Sequence, residues 1–227
     1  MLLLFDIDGT LLLGAHAEHR DSLHAALREV HGIGDPAAAH VVAPGRTDGE
    51  IARAIALQSG VSADRIDELA DAVRDATCRE YARRCPPDLR DRLSPGMPDV
   101  LADLASRAGI RLSLVTGNFE PVARLKLERA GLGDFFPHDQ GAFGSDDEDR
   151  AALPRIARRR AGTNGHPHPR ADTIVIGDTP NDVACAHADG ARCLAIATGP
   201  FRPDELRAAG ADDVATDARG LKTLLAQ

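Results

Sequence analysis

The chain has 227 residues, a formal net charge of −8, 3% aromatic residues and no tryptophan. The acidic balance argues against a nucleic-acid or anionic-membrane partner, since both select basic surfaces. The shortage of rings argues against a platform for stacking bases.

The length suits one large domain or one domain with an insertion, and a chain of this size buries roughly 70% of its unfolded surface without staples. Leu2 to Ile7 is a short apolar run bounded by Gly9, which predicts a buried strand. From Gly14 to Leu93 no strand-like run appears. Instead Leu23, Leu27 and Val30, then Ile51 and Ile55, then Ile66, Leu69 and Val73 fall on successive helical faces. The loop "VVAPGRTDGE" interrupts this helical block, and the prolines of "CPPDLRDRLSPG" close it.

The pattern then alternates. Helices are predicted over Met97–Ala108, Glu120–Ala130, Asp147–Arg160 and Pro180–Ala188, each followed by a strand: "IRLSLVT", "QGAFG", "TIVIG" and "RCLAIA". Two more short elements are expected to finish the chain. Alternation of this kind predicts an α/β fold, a doubly wound parallel sheet with helices on both faces. The helical block sits as an insertion after the first strand. The boundaries expected are a core of residues 1–13 and 94–227 and a helical unit of residues 14–93.

Cys78, Cys85, Cys185 and Cys193 form no CxxC and have no histidine at zinc-binding spacing, so they are expected to be free thiols in a reducing compartment. No apolar stretch reaches membrane-spanning length and no secretory leader pattern is seen, which predicts a soluble cytoplasmic protein. His166 and His168, in the turn-rich "RAGTNGHPHPRAD", are expected to be solvated.

In an open α/β sheet, ligands lie outside the carboxyl ends of the strands. Four polar clusters fall at such ends: Asp6 and Asp8, "TGN" (Thr116–Asn118), "GSDDEDR" (Gly144–Arg150) and "GDTPND" (Gly177–Asp182). Carboxylates, a hydroxyl and a guanidinium converging on one crevice have the composition of a Mg²⁺-assisted phosphoryl-transfer site. Hard oxygens suit the cation, and cationic and hydroxyl donors suit phosphate oxygens. Two carboxylates at a buried strand end are costly without a cation.

"DIDGT", "TGN", an arginine where a lysine usually stands, and "GDTPND" resemble the four motifs of the haloacid dehalogenase superfamily. The helical insertion resembles its helical (C1) cap, and the nearest branch is that of phosphoglycolate phosphatases. The resemblance covers nearly the whole chain. It implies that Asp6 attacks phosphorus to form an aspartyl-phosphate. It implies that Asp8 protonates the leaving oxygen and then takes a proton from water. Thr116, with backbone N–H groups around Gly117, would bind phosphate oxygens. Mg²⁺ would be held by the Asp6 carboxylate, the Asp8 backbone carbonyl and Asp178, with Asp182 anchoring its outer shell. The partner implied is a small phosphorylated metabolite, acted on by a monomer or homodimer.

Other roles stay open for some of these residues. Asn118 is either a substrate ligand or the N-cap of the following helix. Thr179-Pro180-Asn181-Asp182 also reads as a helix start, with Thr179 as N-cap and Pro180 at the first position. Arg46, in "GRTD", either contacts a second anionic group of the substrate or is solvated, with Asp48 as a helix N-cap.

The usual lysine of the third motif is missing. The two lysines, Lys126 and Lys222, lie respectively in the helix after "TGN" and near the C-terminus, and neither is expected at the site. Arg150 stands where the family's lysine opens the equivalent helix. The alternative is that it pairs only with Asp146, Asp147 or Asp149 at the surface. Arg155, one turn on, is the reserve candidate.

Lysine scarcity excludes phosphonoacetaldehyde hydrolases, which need a cap lysine, because residues 14–93 contain none. Asp8 excludes the metal-free haloacid dehalogenases. A phosphomutase of the β-phosphoglucomutase type is the nearest competing reaction. A phospho-accepting regulatory domain is the non-enzymatic alternative, but it would be about half this length and would need a lysine after a late strand. Phosphoglycolate, sugar phosphates and nucleoside monophosphates all remain open as substrates.

Overall fold

The computed structural model describes residues 1–225. Its centre is a six-stranded sheet in the order β3-β2-β1-β4-β5-β6, with every pair parallel. The strands are β1 (Leu2–Phe5), β2 (Arg111–Thr116), β3 (Ala142–Phe143), β4 (Thr173–Gly177), β5 (Arg192–Ile196) and β6 (Asp213–Ala215). The helices are α1 (Ala17–His31), α2 (Asp48–Gln58), α3 (Ala63–Arg84), α4 (Met97–Ser106), α5 (Glu120–Ala130), α6 (Leu153–Arg160), α7 (Pro180–Asp189), α8 (Pro203–Ala208) and α9 (Ala218–Leu224). The expected doubly wound α/β fold is the observed one.

The strand LLLF is apolar throughout because both of its faces are covered. Leu3 and Phe5 point into a cluster with Met97, Leu101, Leu104 and Leu127, so α4 and α5 cover that face. Leu2 and Leu4 point the other way, into a cluster with Leu153, Ala157, Val183 and Ala186 of α6 and α7. Each fully buried leucine contributes about 2 kcal/mol relative to an exposed one. β1 is flanked by β2 and β4, with Phe5 in register with Leu114 and Ile176. The carboxyl ends of these three strands therefore lie side by side.

Helices α1–α3 build their own apolar cluster from Leu23, Leu27, Ile55, Ile66, Val73 and Tyr81. Phe119 and Val122, which flank the start of α5, join that cluster and tie the helical layer to the sheet.

Some boundaries differ from expectation. β1 ends at Phe5 rather than Ile7, because the chain turns there: the Leu11 and Leu12 N–H groups both donate to the Ile7 carbonyl. The helix expected from Asp147 begins as a 3₁₀ turn at Arg150–Ala152, started by the Asp149 carboxylate accepting from Ala151 N–H, and is α-helical only from Leu153. Three elements, not two, follow β5, namely α8, β6 and α9. The four cysteines are free. Among the described residues no helix is long and apolar enough to cross a membrane.

Candidate active site

Asp6 follows the last residue of β1, and its N–H donates to the Ile176 carbonyl of β4 at 2.9 Å. This backbone bond fixes the carboxylate at the strand end, where it is buried. Asp178 follows β4, and Asp182 lies in the first turn of α7. The three carboxylates each present an oxygen within 4.8 Å of the others.

Asp182 is held on both sides. One oxygen accepts from Thr179 N–H at 3.0 Å and Thr179 Oγ1 at 2.7 Å, which completes a capping box. The other oxygen accepts from Arg150. The helix-start reading of this segment thus holds, and it coexists with a place in the acidic cluster.

Arg150 is buried. Its Nη2 lies 3.3 Å from Asp6 Oδ1 as well as bonding Asp182. Surface pairing is not its role, because Asp146 pairs with Arg160 instead and the Asp149 carboxylate caps Ala151. Arg155 is exposed.

Burial pushes Asp6 up to about 7, against the downward pull of Arg150 and the upward push of Asp182. Burial also drives Asp178 up to about 9, aided by its carboxylate neighbours. Three buried carboxylates share one guanidinium, so the cluster favours protons or a further cation. The donors are all oxygen, which suits a hard divalent ion. Space is kept clear by glycine: a Cβ at Gly9 (φ +89°) or at Gly199 would overlap the Asp178 carboxylate. The residues present therefore fit Mg²⁺.

Asp8 behaves differently. Its carboxylate is not in the acidic cluster. Oδ2 accepts from Lys126 Nζ at 2.5 Å and Asn118 Nδ2 at 2.9 Å, while Oδ1 is buried and has no partner among the described residues. Burial, the largest single influence, would raise this carboxyl, but Lys126, His19 and Asn118 together outweigh it and hold Asp8 below the ordinary carboxylate range.

Lys126 was not expected here and is fully buried. It lies on the face of α5 that also buries Val122, Ala123 and Ala130. A lone lysine at a core position of an amphipathic helix was the available signal, because such a charge needs a partner. Asn118 is not an N-cap: Phe119 occupies that position with no side-chain cap, and Asn118 instead bridges Asp8, Thr116 and Lys126. Thr116 is buried at the end of β2, and its Oγ1 accepts from Asn118 Nδ2 at 3.1 Å.

The loop expected to read the substrate lies directly against these motifs. Asp48 N–H donates to the Gly117 carbonyl at 2.8 Å, and Thr47 Oγ1 donates to the Glu148 carbonyl at 2.7 Å. Asn181 Nδ2 donates to the Pro44 carbonyl at 3.1 Å. Gly45 (φ +74°) and Gly117 permit these approaches, since a Cβ at either would overlap the neighbouring segment. Thr47, not Asp48, is the N-cap of α2, accepting from Glu50 N–H. The Asp48 carboxylate is buried and accepts from Phe119 N–H at 2.7 Å, with His19 Nε2 2.9 Å away. Arg46 is half-exposed, pairs with Glu50 at 3.3 Å, and lines a cleft of about 830 Å³ together with Arg150 and Asn181. His166 is exposed, and neither it nor His168 joins a metal-capable group among the described residues.

The family model for haloacid dehalogenase-like hydrolases matches residues 3–187. The chain belongs to that family. This haloacid dehalogenase-like chain is 32% identical over 209 residues to the tyrosine-protein kinase PtkA of Mycobacterium tuberculosis, an alignment covering 89% of the chain and 64% of that relative. The chain thus spans less than two thirds of PtkA's length. It is also 32% identical over 205 residues to a phosphoglycolate phosphatase of Rhodospirillum rubrum, covering 88% of the chain and 80% of the relative. A putative β-phosphoglucomutase from Bacteroides vulgatus shares its fold with a TM-score of 0.68, at 22% identity, over 99% of this chain and 87% of that one.

Proposed function

We propose that this chain is a Mg²⁺-dependent phosphatase of small phosphorylated metabolites that works through an aspartyl-phosphate on Asp6. The observation that carries the reading is the geometry around Asp6: one buried guanidinium 3.3 Å away and two further carboxylates within reach of a shared cation. The R. rubrum relative's name gives further support.

An Asp6 oxygen attacks phosphorus, and the ester P–O bond breaks. The leaving oxygen takes its proton from Asp8. Water then attacks the phosphorus of the aspartyl-phosphate and gives a proton to Asp8, and inorganic phosphate departs to restore the Asp6 carboxylate. The surroundings of the two aspartates differ. Asp6 faces Arg150 and two carboxylates, so a bound cation would favour its ionised, nucleophilic form. Lys126 and Asn118 hold Asp8 ionised, so it carries a proton only once the anionic phosphate lies beside it. Arg150 opposes the charge of the nucleophile and of the transferring phosphoryl group. Thr116, Gly117 and Asn118 supply donors for phosphate oxygens. Mg²⁺ bound by Asp6, the Asp8 carbonyl and Asp178, with Asp182 in its outer shell, would offset repulsion between nucleophile and phosphate.

In this reading residues 14–93 form a helical cap domain over a core of residues 1–13 and 94–227, and Arg46 reads the part of the substrate beyond the phosphate. The enzyme works as a monomer or homodimer in the cytoplasm. The four free thiols support a reducing compartment.

The test is phosphate release from a panel of phosphorylated metabolites with Mg²⁺, for the wild type and Asp6→Asn. Release by the wild type and none by Asp6→Asn supports the reading. Label recovered on a second hydroxyl of the substrate, rather than as free phosphate, would assign a mutase instead.

A further inference from the structure

We infer that Lys126 is a positioning residue for the proton-transferring aspartate, holding Asp8 by one oxygen so that the other is left for the substrate. This rests on the phosphatase reading above.

The Lys126 ammonium has three donors and no acceptor. It finds three acceptors: Asp8 Oδ2 at 2.5 Å, Asn118 Oδ1 at 2.7 Å and His19 Nδ1 at 3.2 Å. Asn118 in turn gives its amide N–H to the same Asp8 oxygen at 2.9 Å. Asp8 Oδ2 is thus clamped by two donors that also bond each other. Oδ1 of the same carboxylate is buried without a partner among the described residues. A buried carboxylate oxygen without a donor is costly unless something else supplies one. The leaving-group oxygen, which takes a proton from Asp8, and the attacking water, which gives one back, are the species that meet this carboxylate during turnover. Oδ1 is therefore the oxygen that exchanges the proton, and the clamp on Oδ2 sets its direction.

The third acceptor comes from the helical layer. An ammonium can only donate, so His19 Nδ1 accepts and its Nε2–H donates to Asp48. His19 lies on α1 and Asp48 at the start of α2, while Lys126 is on α5. The Asp48 carboxylate also takes the Phe119 N–H. The clamp is therefore completed by residues 14–93 packed against the sheet.

The experiment is single-turnover release of phenol from phenyl phosphate and of p-nitrophenol from p-nitrophenyl phosphate, with Mg²⁺. Wild type, Lys126→Met, Asp8→Asn and the double variant are compared. p-Nitrophenolate leaves without much help from an acid, whereas phenol needs it. Lys126→Met is expected to slow phenyl phosphate about tenfold more than p-nitrophenyl phosphate, within the range general acids supply. In the Asp8→Asn background it should cost no further rate beyond about twofold, because it acts through Asp8. Equal losses on both substrates, an undiminished loss in the Asp8→Asn background, or no loss at all would overturn the inference. If Lys126→Met fails to fold, Lys126→Gln carries the same comparison. Failure of both to fold would make Lys126 a structural residue and end the proposal. A wild type that releases neither phenol would instead overturn the phosphatase reading itself.

Discussion

The guanidinium of Arg150 lies 3.3 Å from Asp6 Oδ1, and both side chains are buried. A cation so placed cannot be replaced by solvent, and Arg150 also ties Asp6 to Asp182 on α7. Arg150→Ala should lower kcat by about a hundredfold or more, the scale of losing one preorganised donor. Arg150→Lys should restore part of that loss. Arg155→Ala, at an exposed position, should be mild. Steady-state kinetics of the three purified variants decide this, and a crippled Arg155→Ala beside a healthy Arg150→Ala would contradict it.

Asp6 and Asp178 prefer their protons in the metal-free fold, at about 7 and about 9 against an ordinary 3.8. The stability that comes from this preference is fully present below the ordinary value. It is lost as pH rises through the two folded values. A divalent cation bound there would take the place of those protons, so Mg²⁺ binding is expected to strengthen with pH. The rise in melting temperature on adding Mg²⁺ to EDTA-treated protein should therefore grow from about pH 5 to about pH 9. A rise that shrinks with pH would contradict the assignment. EDTA should also abolish turnover, and Mg²⁺ should restore it.

Much of this arrangement was legible in the sequence, and the limits are instructive. The strands were marked by short apolar runs ending in Gly, Asp or Thr, and the site follows from which of those ends the topology sets side by side. Arg150 was found because it occupies a motif position in chain order. Lys126 was missed for the same reason: it lies outside any motif, and only the packing of α5 against the sheet, with Ala123 and Leu127 in one cluster with Phe5, brings it 118 residues back to Asp8. The sequence reading takes Asp48 as the N-cap of α2, but Thr47 is as good a cap by residue type. The choice is made by the tertiary contacts that draw Asp48 to Phe119 N–H and His19.

Gly117 lets the loop before α2 sit on the Thr116–Asn118 turn, since a Cβ there would overlap the backbone of Arg46 and Thr47. Neither neighbour is a flexible side chain. Gly117→Ala should destabilise the fold by about 1–3 kcal/mol, as overpacking does, and should lower turnover as the loop is displaced. Urea unfolding of this variant measures the first effect. Unchanged stability would show that the loop shifts freely.

Arg46 lines the same cleft as Arg150 and is held by a half-exposed pair with Glu50. If it reads an anionic group beyond the phosphate, Arg46→Ala should raise KM for the best metabolite by about tenfold or more, the scale of a lost charged hydrogen bond. It should leave p-nitrophenyl phosphate nearly unchanged. An equal loss on both would place Arg46 in a structural role.

The central claim is that Asp6 carries the phosphoryl group. Mixing the Mg²⁺-loaded chain with its best substrate from the panel, quenching in acid within the first turnover and weighing the intact protein tests it directly. The expected result is a transient fraction bearing one phosphoryl group, mapped by peptide fragmentation to Asp6 and absent from Asp6→Asn. A phosphoryl group on any other residue, or full turnover by Asp6→Asn, would contradict the account.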